Sequence, residues 1–87
     1  MYKVIVFGTG KSADIVEECI YEDTEITAYI DNDKKKYHSY RNGKLIISIF
    51  EMDEYDFDYI IIASIKFFQI RSQLLEAGVD KNRIIEF

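Results

Sequence analysis

The chain has 87 residues, 48% of them hydrophobic and 31% charged, the balance of an ordinary folded domain and far from a disordered one. With a net charge of −5, and with lysines and arginines scattered apart from Lys34, Lys35 and Lys36, no basic face is set up for a phosphate backbone, so nucleic acid is not an expected partner. A single cysteine rules out an internal disulfide and a multi-cysteine zinc site, one histidine leaves little for a histidine metal cluster, and together they point to a reduced, cytoplasmic chain.

Lys3 to Phe7 is β-branched and aromatic and stops at Gly8, the pattern of a strand buried on both faces. This apolar run is too short for a signal sequence, and no run approaches the roughly 20 residues of a membrane span. Residues 11 to 22 suit an amphipathic helix: Val16, Cys19, Ile20 and Asp23 follow helical spacing, with Glu17, Glu18 and Glu22 on the other side. Cys19 is then expected to be a small core residue. Ile26 to Ile30 predicts a second strand, closed by Asp31, Asn32 and Asp33. From there to Gly43 no periodicity holds, which predicts a loop, with a tight turn at Asn42-Gly43.

Leu45 to Ile47 predicts a third strand. Ser48 is placed to cap a brief helical turn through Asp53, with Glu51 in capping-box position. Asp58 to Ser64 holds the most continuous apolar run and should be central. Phe67, Ile70, Leu74 and Ala77 trace one helical face that ends at Gly78, a suitable left-handed cap, and Arg83 to Phe87 supplies a last strand. Continuous apolar strands alternating with helices predict an α/β fold, a Rossmann-like three-layer α/β/α domain spanning residues 1–87. Its sheet is expected to be mainly parallel and five-stranded, in the order 3-2-1-4-5.

The turn after the first strand, FGTGKSAD, resembles two phosphate-binding loops. A P-loop would need its first glycine at position 5, but Ile5 lies mid-strand, and the loop is too short to wrap a phosphate. The dinucleotide pattern fits: Gly8 permits the sharp turn, Gly10 allows close approach of a diphosphate at a helix N-terminus, and Ala13 keeps the helix near the sheet. Asp31, 21 residues after Gly10 at a strand end, stands where an acid accepts from a ribose hydroxyl. The alternative is that the glycines serve only the turn and Asp31 only marks a strand end.

The succession VIVFGTGKSADIV, ITAYIDND, NGKLIIS and DFDYIIIAS resembles the Rossmann-like N-terminal domain of bacterial polysaccharide-biosynthesis proteins, over nearly the whole chain. It is similar to the domain preceding the catalytic part of CapD-type nucleotide-sugar dehydratases and to modules attached to sugar acyltransferases, glycosyltransferases and FkbM-type methyltransferases. The resemblance implies a module of a larger protein that binds a small-molecule nucleotide: NAD, a nucleotide-sugar or CoA. It places Gly8, Thr9, Gly10, Lys11 and Ser12 in the phosphate loop, Asp31 at the strand-end acid, and Ala63 with Ser64 beside the ligand crevice. The acyltransferase-type G-G-x-G-x-G pattern with its histidine is absent, a departure from that subtype.

Catalysis by this domain alone is not expected. Tyr40 and Lys44 match the Y-x-x-x-K spacing of short-chain dehydrogenases, but they straddle the Asn-Gly turn and lie on no helix. His38 has no partner at motif spacing and is expected on the surface. Lys34 to Lys36 either form a solvated edge or meet a ribose phosphate, although Asp31 would repel a 2′-phosphate and favours NAD over NADP. Ser64 either contacts ligand or caps the following helix. Phe50, Tyr55, Phe57 and Phe68 exceed what one small core holds, so a homo-oligomer or contact with a catalytic domain is expected, against scattered surface aromatics. Three readings stay open: a nucleotide-binding module, a fragment of a nucleotide-sugar dehydratase or oxidoreductase, and a degenerate Rossmann domain serving assembly.

Overall fold

The computed structural model describes residues 1–20 and 22–87. Strands β1 (Tyr2–Phe7), β2 (Thr24–Ile30), β3 (Tyr40–Arg41), β4 (Lys44–Ile47), β5 (Tyr59–Ile62) and β6 (Ile84–Glu86) form one sheet in the order β3-β4-β2-β1-β5-β6. Every pairing is parallel except β3 with β4. Helix α1 (Lys11–Cys19) connects β1 to β2 and helix α2 (Phe67–Glu76) connects β5 to β6. Because the right-handed crossovers from β1 to β2 and from β5 to β6 step in opposite directions along the sheet, the two helices cover opposite faces of it.

The side-chain alternation of the strands sorts the core into two layers. Ile5, Phe7, Ala28, Ile30, Ile47, Ile60 and Ile62 point toward α2, where Ile70 and Leu74 meet them beside Ile49 and Met52 of a 3-10 turn spanning Ile49–Glu54. Val4, Val6, Tyr29, Ile46 and Ile61 point the other way, against Ala13 and Val16 of α1. Both faces of β1 are thus inaccessible to water from Val4 onward, which is why that strand reads as a continuous apolar run.

The parallel strands follow the predicted order, and the correction is a sixth strand. The stretch expected to be only a loop holds a 3-10 turn at Lys34–Lys36 and then an antiparallel hairpin, Tyr40 opposite Leu45 and Arg41 opposite Lys44. Its turn is the predicted Asn42-Gly43 pair, with φ of 50° and 77°. Tyr40 is exposed and Arg41 charged, so this two-residue edge strand carries no apolar alternation to announce it.

Helix α1 ends at Cys19, short of the predicted residue 22, and residue 21 lies outside the described residues. Cys19 is exposed, contrary to the expectation of a core position. It leans over an apolar groove between Tyr59, Ile61 and Ile85, a part of the sheet face that α1 does not reach. Of the aromatics expected to be surplus, Tyr55 and Phe57 pack against the core, and Arg83 stacks on Phe57 at 4.2 Å. Phe50 and Phe68 are 92% and 74% exposed.

The predicted caps form. The N–H of Ser48 donates to Oε1 of Glu51 at 3.3 Å, closing the capping box. Gly78 has φ 93°, its N–H donates to the Leu75 carbonyl, and the Val79 N–H reaches back to Leu74, so α2 ends in a Schellman motif. Buried Val79, rather than exposed Ala77, then completes the apolar face begun by Ile70 and Leu74.

Candidate functional site

Strand β1 lies where the chain crosses first to one side of the sheet and then to the other, the place at which a parallel sheet opens a crevice at its carboxyl edge. A cleft of about 580 Å³ lies there, and all eight predicted positions line it: Gly8, Thr9, Gly10, Lys11, Ser12, Asp31, Ala63 and Ser64. Residues 19 (Ser12 to Asp31) to 56 (Gly8 to Ser64) positions apart are gathered because β1, β2 and β5 run side by side and end together.

The two glycines have different causes. The Gly8 N–H donates to the Ile30 carbonyl at 2.8 Å, which draws the turn tightly between β2 and β5. Its φ is 125°, and a Cβ there would lie 2.2 Å from the carbonyl oxygen of Ala63. Only glycine fits. Gly10 is the N-cap of α1 with φ −100°, a conformation any residue adopts, and a Cβ there would meet no atom within 4 Å. The fold leaves open space above Gly10. No acceptor among the described residues takes the N–H groups of Thr9, Gly10, Lys11 or Ser12, so the positive end of α1 faces the cleft with free donors.

Asp31 closes the other side. Its Oδ2 accepts from the Thr9 hydroxyl at 2.6 Å and stands 3.7 Å from the Lys36 ammonium, which also donates to Thr9 Oγ1 at 3.0 Å. Its Oδ1 accepts from the Asp33 N–H at 2.8 Å. A carboxylate has about four acceptor sites, and these two hydrogen bonds leave acceptor capacity for a ligand hydroxyl beside the Lys36 ammonium. Lys36 is therefore no free solvated lysine but the third member of this group. Beyond Asp31, the side-chain amides of Asn32 and Gln73 exchange two hydrogen bonds of 3.0 Å, joining the loop after β2 to α2 across the cleft.

Ala63 is buried and forms the floor with its carbonyl against Gly8. Ser64 Oγ accepts from the Lys66 N–H at 3.1 Å, holding the turn that leads into α2, and its hydroxyl proton stays available to the cleft. Among the described residues, the lining contains no histidine, tyrosine or cysteine.

Sequence reasoning missed Arg41. From the unforeseen hairpin it reaches α1, donating from its Nε/Nη2 edge to both carboxylate oxygens of Glu17 at 3.0 Å, contacting Asp14, and donating from Nη1 to the Thr9 carbonyl at 2.9 Å. It also stacks over the Tyr29 ring at 5.6 Å. Glu17 further accepts from the Tyr29 hydroxyl and from Asn42. Burial alone would raise the Glu17 pKa, but these donors outweigh it and hold the carboxyl below its ordinary value. Burial and the Glu17 contact push the Tyr29 hydroxyl up, and Glu17 likewise keeps Arg41 firmly protonated.

The remaining candidates lie apart from the cleft. Tyr40 and Lys44 sit on the two strands of the hairpin, outside the cleft lining, and form no helical pair. His38 is on the surface as expected but has a partner that spacing did not announce: Nε2 lies 2.9 Å from Glu51 Oε2, and this contact lowers the Glu51 pKa. Among the described residues no cluster of three or more His, Cys, Asp or Glu could hold a metal ion, and no helix is long and apolar enough to cross a membrane.

The family described as C2185-like, N-terminal matches residues 1–85. The chain belongs to that family. By fold it is similar to UDP-D-quinovosamine 4-dehydrogenase from Vibrio fischeri, with a TM-score of 0.68 and 17% identity over 98% of this chain and 75% of that one. It is equally similar to RSP, whose structure is a complex with β-NAD⁺ and operator DNA, with a TM-score of 0.68 and 12% identity over 100% of this chain and 50% of that one. At such identities the likeness shows a Rossmann-like fold. No protein of curated function matches the sequence.

Proposed function

We propose that this domain is a non-catalytic nucleotide-binding module, with NAD as its first ligand and a nucleotide-sugar or CoA as alternatives. The observation that carries the reading is Gly10. Neither its backbone conformation nor its neighbours require a glycine, whereas a diphosphate approaching the free N–H groups of residues 9 to 12 does. The chemistry around the cleft fits such a ligand from end to end. Lys11 and Lys66 bring positive charge to the diphosphate end, and Asp31 keeps an acceptor for a ribose hydroxyl at the other. With Asp31 and Asp33 side by side, an unphosphorylated ribose suits this end better than a 2′-phosphate.

Bound NAD would carry a hydride acceptor, and the non-catalytic reading follows the resemblance to domains that precede a separate catalytic part. The neighbour named for a UDP-sugar and the neighbour complexed with NAD⁺ support the two leading ligand classes, and the family's N-terminal description supports a place at the start of a larger protein. By resemblance, that larger protein belongs to bacterial polysaccharide biosynthesis, and the exposed Phe50 and Phe68 are available for contact with its other parts or with a second copy.

The test is thermal unfolding against NAD, NADH, NADP, UDP-sugars and CoA. A ligand at about 100 times its dissociation constant adds roughly 2.7 kcal/mol, a rise of several degrees in a domain of this size. In Asp31→Ala the rise with NAD should shrink or vanish, measured from the variant's own unliganded midpoint. No rise with any ligand would leave a scaffold whose glycines serve only the turn.

A further inference from the structure

We infer that Arg41 is a positioning residue for the glycine loop: by holding the Thr9 carbonyl outside the cleft, it aims the Gly10 N–H into it. The Thr9–Gly10 peptide is trans, like every peptide bond among the described residues, so its C=O and N–H point in opposite directions. Nη1 of Arg41 takes the carbonyl at 2.9 Å from the α1 and hairpin side, and Arg41 is not among the residues lining the cleft. The N–H on the far side of that peptide has no acceptor among the described residues, and open space lies above Gly10.

The Thr9–Gly10 peptide plane turns about ψ of Thr9 and φ of Gly10, and on the glycine side nothing of its own resists that rotation. The guanidinium is in turn immobilised by Glu17, Asp14 and the Tyr29 ring, so the fork is set before any ligand arrives. Fixing one donor in advance removes an ordering cost from binding. The inference rests on the nucleotide-binding reading for its consequence, but the orientation of the peptide is a property of the unliganded protein.

The experiment follows the Gly10 amide by ¹⁵N NMR without ligand, together with NAD titration, in wild type, Arg41→Ala, Arg41→Lys and Arg83→Ala. Arg83 is the control: it also stacks on an aromatic ring and donates to backbone, to the Asp58 carbonyl at 3.2 Å, but away from the loop. Arg41→Ala should shift or broaden the Gly10 amide and raise the NAD dissociation constant about tenfold, the loss of one charge-assisted hydrogen bond. Arg41→Lys, which keeps a donor for the Thr9 carbonyl, should restore much of both. Arg83→Ala should lower the melting temperature and move neither. An unmoved Gly10 amide in folded Arg41→Ala would overturn the inference. So would an equal disturbance in Arg83→Ala. Absence of NAD binding to wild type would instead count against the proposed function, and the amide shift would still decide the role of Arg41.

Discussion

Gly8 and Gly10 stand two residues apart in one turn, and the protein's need for them differs. At Gly8 the space a side chain would take is already filled by the Ala63 carbonyl, and the backbone has φ 125°. At Gly10 the backbone is ordinary and the space is empty. One glycine is required by the fold, whereas neither backbone conformation nor packing requires the other. A sequence motif joins the two, but packing separates them, and the proposed binding role turns on the second.

Substitution makes this difference measurable. Gly8→Ala should have the largest effect, a loss of at least about 3 kcal/mol, because backbone strain adds to a clash with a carbonyl that cannot swing away. Urea unfolding would measure it, and a loss near zero would mean that β1 and β5 are less closely apposed than described. Gly78→Ala sharpens the comparison, since φ there is 93° but nothing lies within 4 Å of the added Cβ. It isolates the conformational cost, about 1–2 kcal/mol. A Gly78 loss equal to that at Gly8 would deny the Ala63 clash any part.

A smaller effect comes from acid. The Glu17 carboxyl lies below its ordinary pKa of 4.5 in the folded chain, so the stability it contributes is complete above that value and declines as pH falls through the folded one. Glu51, lowered by His38, adds a decline of the same sign. Melting temperature should therefore hold between neutral pH and about 5, then fall by a few degrees. Glu17→Gln should start lower and flatten part of that fall. A wild-type curve that stays level through this range would remove the carboxylate clamp from the account.

The cleft was legible in the sequence where its residues announce themselves locally. Gly8, Gly10 and Ala13 follow a strand and open a helix, and Asp31 and Ala63 close apolar runs, so strand ends alone bring them together. Arg41, Lys36 and the Asn32–Gln73 pair were not legible. Each depends on side chains 24 to 41 residues apart in sequence. Arg41 also sits on an edge strand too short and too polar to show a period of two. Cys19 was misjudged for a related reason: helical spacing does aim it at the sheet, but the sheet near Tyr59 and Ile85 is not covered there, so it stays exposed.

The most direct test of the central claim is NAD titration of wild type against Gly10→Asp by calorimetry, with melting temperature recorded for both. Aspartate is a strong N-cap and its Cβ would meet no atom within 4 Å at this position, so the variant should be as stable as wild type or a few tenths of a kcal/mol more so. Its side chain would occupy the open space with negative charge, and a diphosphate should bind at least about tenfold more weakly. Unchanged stability with lost binding is the predicted result. Equal NAD affinity in the two proteins would contradict it, since the space above Gly10 would then not be where the nucleotide binds.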